Sequence, residues 1–178
     1  MSAPASAPST LSEADFVGLY GGVYEHSRWV AEGLYAQGIT KADDVSAALA
    51  LRMAKLVEAS GPERQLELLR LHPELAGKLK VGEELTASSR SEQAGARLDQ
   101  CSPEEFARFQ ELNEFYRIRF GFPFIIAVTG LSRADILAAF EARAKNPIAA
   151  EFRTALDEVH KIARIRLDAL ARQRDATA

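Results

Sequence analysis

Ser102-Pro103-Glu104-Glu105-Phe106-Ala107-Arg108-Phe109 opens the segment that decides the fold. Ser102 is suited to cap a helix. Pro103 suits the first helical position, where no amide hydrogen is needed, and Glu105 can reach back to the cap to complete a capping box. Phe106, Phe109, Leu112, Phe115 and Tyr116 then recur at helical spacing. That spacing predicts a helix to about Arg119 with these side chains inward.

The same grammar extends in both directions. Upstream, Ser12 before Glu13 and Asp15 predicts a capped helix carrying Phe16, Leu19 and Tyr20. A second helix is expected over residues 27–37, stopping at Gly38. Asp43 or Asp44 is expected to cap a third, bearing Val45, Leu49, Met53, Leu56 and Val57. Pro62 is placed to start a short helix through Leu71 with Leu66 and Leu69 inward. A turn or short helix through Lys80 and a helix over residues 89–100 follow. Downstream of the Ser102 helix, Phe120-Gly121-Phe122-Pro123-Phe124-Ile125-Ile126-Ala127-Val128 breaks the pattern. It reads as an extended buried connector, with a short strand as the other option. Ser132-Arg133-Ala134-Asp135 restarts a helix that Asn146-Pro147 ends, and a final helix runs over residues 148–174. No convincing alternating strand, repeat or internal linker is present. The expected fold class is all-α: a single-domain helical bundle, residues 11–174, with a non-helical Phe-Gly-Phe-Pro-Phe connector.

Bulk properties narrow the function. The chain has 178 residues, 47% hydrophobic and 26% charged, which suits one domain with a sizeable core. Its 22 basic and 25 acidic side chains give a formal charge of −3, which argues against nucleic acid as a partner. No apolar run is long enough to span a bilayer. A single cysteine, Cys101, allows no intrachain disulfide and fits a reducing compartment. Residues 1–10 are small residues and prolines without the basic start and apolar core of a signal peptide. They are expected to form a disordered tail, and the protein is expected in the cytoplasm.

Four segments carry candidate chemistry, each beside a plainer alternative. Pro73 disfavours helix at His72, so His72 sits either at the end of the preceding helix or as the cap of the next, with opposite electrostatic bias. A loop histidine on the surface is the plainer alternative. Ser89, Glu92 and Gln93 fall at i, i+3 and i+4, and on one helix they share a face able to read N–H and C=O groups. A solvated face would look the same. The connector's non-helical backbone needs hydrogen-bond partners, which a ligand or the core can supply. Arg164 and Arg166 interrupt an apolar helix face and suit either a carboxylate clamp or a salt bridge. Tyr24-Glu25-His26-Ser27-Arg28-Trp29 reads mainly as a structural corner with some pocket lining. His26, His72 and His160 lack metal-ligand spacing, so no metal is expected.

Taken together, these segments resemble one family. Tyr24-Glu25-x-Ser27-x-Trp29, His72-Pro73-Glu74-Leu75-Ala76-Gly77-Lys78, Ser89-x-x-Glu92-Gln93, Leu112-Asn113-x-x-Tyr116, Phe120-Gly121-Phe122-Pro123-Phe124-Ile125 and Lys161-Ile162-Ala163-x-x-Arg166-Leu167 resemble the 2-oxo-4-hydroxy-4-carboxy-5-ureidoimidazoline (OHCU) decarboxylases of urate breakdown. The resemblance covers roughly Phe16 to Leu170. Arg28 departs from it, standing where such proteins often have proline. The resemblance implies an all-helical, cofactor-free homodimer that converts OHCU to (S)-allantoin and carbon dioxide. It implies His72 and Glu92 as the catalytic pair. Pro73, Ser89, Gln93, the backbone of Phe124, Ile125, Ile126, Ala127 and Val128, and Arg166 would bind substrate. A non-catalytic ureide-binding module and an acid–base enzyme acting on a related ureide are the alternatives.

Overall fold

The computed structural model describes residues 6–76 and 86–177, and among these it contains eight α-helices and no strand. The chain divides into two compact units, one built from residues up to Leu71 together with those from His160 onward, the other from His72 to Val159.

In the first unit, Ser12 caps α1 (Glu13–Tyr20) by accepting from the Asp15 N–H. Helix α2 (Trp29–Ala36) ends at Gly38, whose φ of 90° needs a residue without a β-carbon. The expected cap of α3 (Ser46–Ala59) by Asp43 or Asp44 is not found; Val45 precedes it without a side-chain cap. Both aspartates are engaged elsewhere. Asp43 accepts from the Thr40 N–H at 2.7 Å and from Arg52 Nη1 at 2.6 Å. Asp44 accepts from the N–H and hydroxyl of Ser9 at 2.8 and 2.9 Å. Of the residues expected to form a tail, 1–5 lie outside the described residues, and Pro8–Thr10 form a 3-10 turn that Ser9 ties to Asp44. Helix α4 (Pro62–Arg70) buries Gln65, Leu68 and Leu69 and leaves Leu66 half-buried. Gln65 can be buried because its amide donates to the Val57 and Glu58 carbonyls at 3.2 and 3.0 Å.

In the second unit, α5 (Ala87–Gly95) is shorter than expected. Arg97 takes a left-handed φ of 55° and a 3-10 turn over Leu98–Gln100 follows. Helix α6 (Pro103–Phe120) starts with the Ser102 capping box, both halves formed. Its buried stripe is Phe109, Leu112, Asn113, Tyr116 and Phe120. Phe115, expected inward, is 50% exposed because it lies one position off that stripe. Residues 121–132 are non-helical, and α7 (Arg133–Arg143) begins behind a Ser132 capping box. The first part of the 30-residue α8 (Ile148–Thr177) belongs to this unit and the part from His160 to the first. Tyr116 makes edge contacts with Phe122, Phe124 and Phe140, and Phe124 and Phe140 stack with centroids 3.9 Å apart. These aromatic pairs fix the connector against α6 and α7. The segment expected to run through Lys80 is bend and turn to Ala76; residues 77–80 lie outside the described residues.

Candidate active site

His72 lies immediately past the C-cap of α4, Leu71, and residues 73–76 carry no helix. Of the two sequence alternatives, the helix-end position is therefore the one adopted. His72 and Pro73 are half-buried, while Leu75 and Ala76 are buried and Ala76 holds a left-handed φ of 48°. That conformation is uncommon outside glycine, so something must hold the turn. Three amide side chains do so. Gln93 Oε1 accepts from the Ala76 N–H at 3.2 Å while its Nε2 donates to the Glu74 carbonyl at 3.4 Å. Asn113 Nδ2 donates to the Leu75 carbonyl at 2.9 Å, and Gln110 Nε2 to the Ala76 carbonyl at 2.6 Å.

These contacts also locate α5. Thr86 caps it, accepting from the Ser89 N–H at 3.2 Å. Ser89, Glu92 and Gln93 all fall within the helix and share a face. Ser89 is buried, Glu92 and Gln93 half-buried. Gln93 bonds both flanks of Leu75, so it seats α5 directly on the turn that follows His72. Glu92 is the residue immediately before Gln93 on that helix, and His72 stands two residues before Glu74. The family resemblance implies that Gln93 binds substrate; in this structure its amide also ties α5 to the turn.

The connector is held with equal care. Arg143 Nη1 donates to the Ile125 carbonyl at 2.8 Å, and its guanidinium lies over the Phe124 ring at 4.4 Å. Arg143 is itself fixed by Glu151 through Nε and Nη2, at 2.8 and 2.5 Å. Tyr116 and Asn146 also donate to Glu151. Glu158 accepts from the Ala127 N–H at 2.7 Å. Phe124, Ile125, Ala127 and Val128 are buried and Ile126 half-buried.

Within the first unit, Arg166 is buried and donates to Glu25 at 2.9 Å and to the Val23 carbonyl at 3.3 Å. Arg164 instead sits at the surface and pairs with Asp168 four residues on, at 3.0 Å. Only Arg166 therefore has the dry setting in which a guanidinium binds a carboxylate strongly. The Tyr24–Trp29 corner is polar but largely closed: Tyr24, Glu25 and Ser27 are buried. The Tyr24 hydroxyl is 2.7 Å from His160 Nδ1, and His160 Nε2 is 2.9 Å from Glu58. Burial, with the Glu58 charge adding to it, pushes the Tyr24 phenol above its usual range. Trp29 and Arg28 border an open recess of about 980 Å³, where Arg64 stacks on the Trp29 ring at 4.1 Å. None of the expected site residues lines that recess. Among the described residues, no group of three or more His, Cys, Asp or Glu side chains is arranged to hold a metal, and no helix is long and apolar enough to cross a membrane.

The sequence model of the OHCU decarboxylase family matches residues 9–168. The chain belongs to the OHCU decarboxylase family. It is similar to the 2-oxo-4-hydroxy-4-carboxy-5-ureidoimidazoline decarboxylase of Haloferax volcanii, 44% identical over 88% of this chain and 89% of that one. It is also similar to the protein of that name from Halalkalicoccus jeotgali, 42% identical over 94% of this chain and 93% of the other. Among solved structures it resembles an (S)-allantoin synthase, with a TM-score of 0.70 and 33% identity over 91% of this chain. There it spans only about half, 52%, of the longer protein.

For a member of the OHCU decarboxylase family, several supporting residues carry no family motif that the sequence alone brings out. Gln110, Arg143, Glu151 and Glu158 are such residues. Glu151 and Glu158 do leave a trace: they fall at i and i+7 on α8, either side of buried Ala155, where an acidic side chain needs a partner.

Proposed function

We propose that this protein removes carbon dioxide from OHCU and delivers (S)-allantoin, as a step of urate breakdown, using no metal or organic cofactor. The observation that carries this is the double tie from Gln93 to the turn after His72, which supports bringing Glu92 of α5 into the neighbourhood of the histidine. In this reading His72, oriented by Glu92, handles the proton transfers. Pro73, Ser89, Gln93 and the backbone of residues 124–128 shape the substrate site. The family resemblance further implies Arg166 for the substrate carboxylate; in this structure its guanidinium is paired with Glu25.

The substrate's own chemistry makes this set of residues sufficient. Its carboxylate sits on a carbon next to a ring C=N. When the carbon–carbon bond to the carboxylate breaks, its electron pair moves toward that C=N, the C=N nitrogen takes up a proton and carbon dioxide leaves. The hydroxyl on the same carbon then loses its proton and becomes a carbonyl, and the neighbouring carbon takes up a proton. Delivery of that proton to one face sets the configuration of the product.

Residues 11–174 are taken as the catalytic part, working in the cytoplasm as a homodimer. The single cysteine agrees with a reducing compartment. Ile118, 77% exposed, and Phe115 lie three positions apart on α6 and offer an apolar patch for a second copy.

The deciding experiment supplies freshly generated OHCU, follows allantoin by circular dichroism and traps carbon dioxide. Catalysed release with one enantiomer is expected. A rate equal to spontaneous decay with racemic product removes the proposal, and tight ureide binding without release points to a binding module instead. His72→Asn and Glu92→Ala are each expected to lower kcat by about 10²–10⁴-fold while keeping helical circular dichroism.

A further inference from the structure

Ile126 differs from the rest of the connector. Every other residue from Phe122 to Val128 is buried, while Ile126 is half-buried. The two peptide groups flanking it are gripped from the protein side. The Ile125 carbonyl accepts from Arg143 at 2.8 Å, and the Ala127 N–H donates to Glu158 at 2.7 Å. No peptide among the described residues is cis. In a trans peptide the N–H and C=O point in opposite directions. The Ile126 N–H therefore points away from Arg143, and the Ile126 carbonyl away from Glu158. Among the described residues neither of these two groups is engaged.

We propose that Glu158 and Arg143 are positioning residues, which aim the main-chain N–H and C=O of Ile126 as a donor–acceptor pair at the substrate. The chemical match is an N–H beside a C=O, the edge that a ureide or an imidazolinone ring presents. This rests on the decarboxylase reading and deepens it. It assigns α7 and α8 side chains that do not touch substrate a part in selecting a cyclic ureide over a plain carboxylic acid. Arg143 is also held by the buried Glu151, so replacing it would disturb that network as well. Glu158 is half-buried and is the safer place to intervene.

The test compares Glu158→Ala with Glu158→Gln. Glutamine keeps an oxygen able to accept from the Ala127 N–H; alanine does not. The alanine variant is expected to raise KM for OHCU about tenfold and to lower the enantiomeric excess of the allantoin, because a hydrogen bond to a charged acceptor is lost. The glutamine variant is expected to restore both. An alanine variant with unchanged KM and enantiomeric excess overturns the proposal, as does equal impairment of the two variants or a defect limited to a lower melting temperature. If the wild-type protein is active, these results fall on the positioning role alone. If wild-type protein releases carbon dioxide no faster than the uncatalysed reaction, the decarboxylase reading itself falls, and this role with it.

Discussion

Replacing Glu151 with alanine removes the centre of the second unit's polar network. The carboxylate is fully buried and accepts from Arg143 at 2.8 and 2.5 Å, from Asn146 at 2.9 Å and from the Tyr116 hydroxyl. Alanine would leave a guanidinium only 13% exposed without its counter-charge. Breaking a buried ion pair from one side costs about 3–5 kcal/mol. The Tyr116 and Asn146 donors add roughly 1–3 kcal/mol each if they stay dry. Members of one network do not add, and Arg143 keeps the Ile125 carbonyl, so a total of about 4 kcal/mol is expected. Whole domains are stable by about 5–15 kcal/mol, so this is a large fraction. At about 2–4 °C per kcal/mol for a chain of this size, the melting temperature should fall by about 8–16 °C. Urea and thermal unfolding followed by far-ultraviolet circular dichroism give both numbers. A loss below about 1 kcal/mol, the range of exposed pairs, would refute the assignment of Glu151 to a dry, cooperative network. Tyr116→Phe, which removes one donor, should cost about 1 kcal/mol in the same assay.

Alkaline pH offers a second measurement. Burial first, then neighbouring carboxylates, raises the phenols of Tyr24 and Tyr116 above the ordinary value near 10.0. Their stabilisation is present below about pH 10 and is lost as pH climbs toward the folded values, because the unfolded chain gives up its protons first. Stability should fall by about 1.4 kcal/mol per pH unit per tyrosine above about pH 10, and Tyr24→Phe should make that slope shallower. Urea midpoints that stay level across this range in wild-type protein would contradict the burial. At the start of α6, Ser102→Ala should cost about 1 kcal/mol and Ser102→Asp close to nothing, since aspartate caps as well. A deficit in the aspartate variant as large as in alanine would show that Ser102 does something other than cap.

What could be read from the sequence was what residues decide among near neighbours. Ser12, Ser102 and Ser132 each accept from an amide three residues on, so their helices were legible. Asp43 and Asp44 failed as caps because their partners, Arg52 and Ser9, lie 9 and 35 residues away. Phe109 and Phe115 are equally apolar, and only the register of the buried stripe separates them. The same division runs through the candidate site. The break at His72 and the shared face of Ser89, Glu92 and Gln93 follow from Pro73 and helical spacing. The amide clamp on the turn does not, because Asn113 reaches the Leu75 carbonyl across 38 residues. An amide side chain gives no sequence signal of which backbone group it will meet.

The division of α8 between the units has a consequence for how the protein is made. The second unit, His72 to Val159, is contiguous and is synthesised whole. The first is interrupted: its opening helices are synthesised before the second unit, and the portion from His160 only after it. Until then Glu25 lacks Arg166 and Tyr24 lacks His160. Connectivity thus imposes a vectorial order in which the later-starting unit is the earlier to close. A nascent chain arrested before Arg166 would lack the guanidinium that meets the buried Glu25 carboxylate, a state less stable than the finished unit and more open to surveillance proteases.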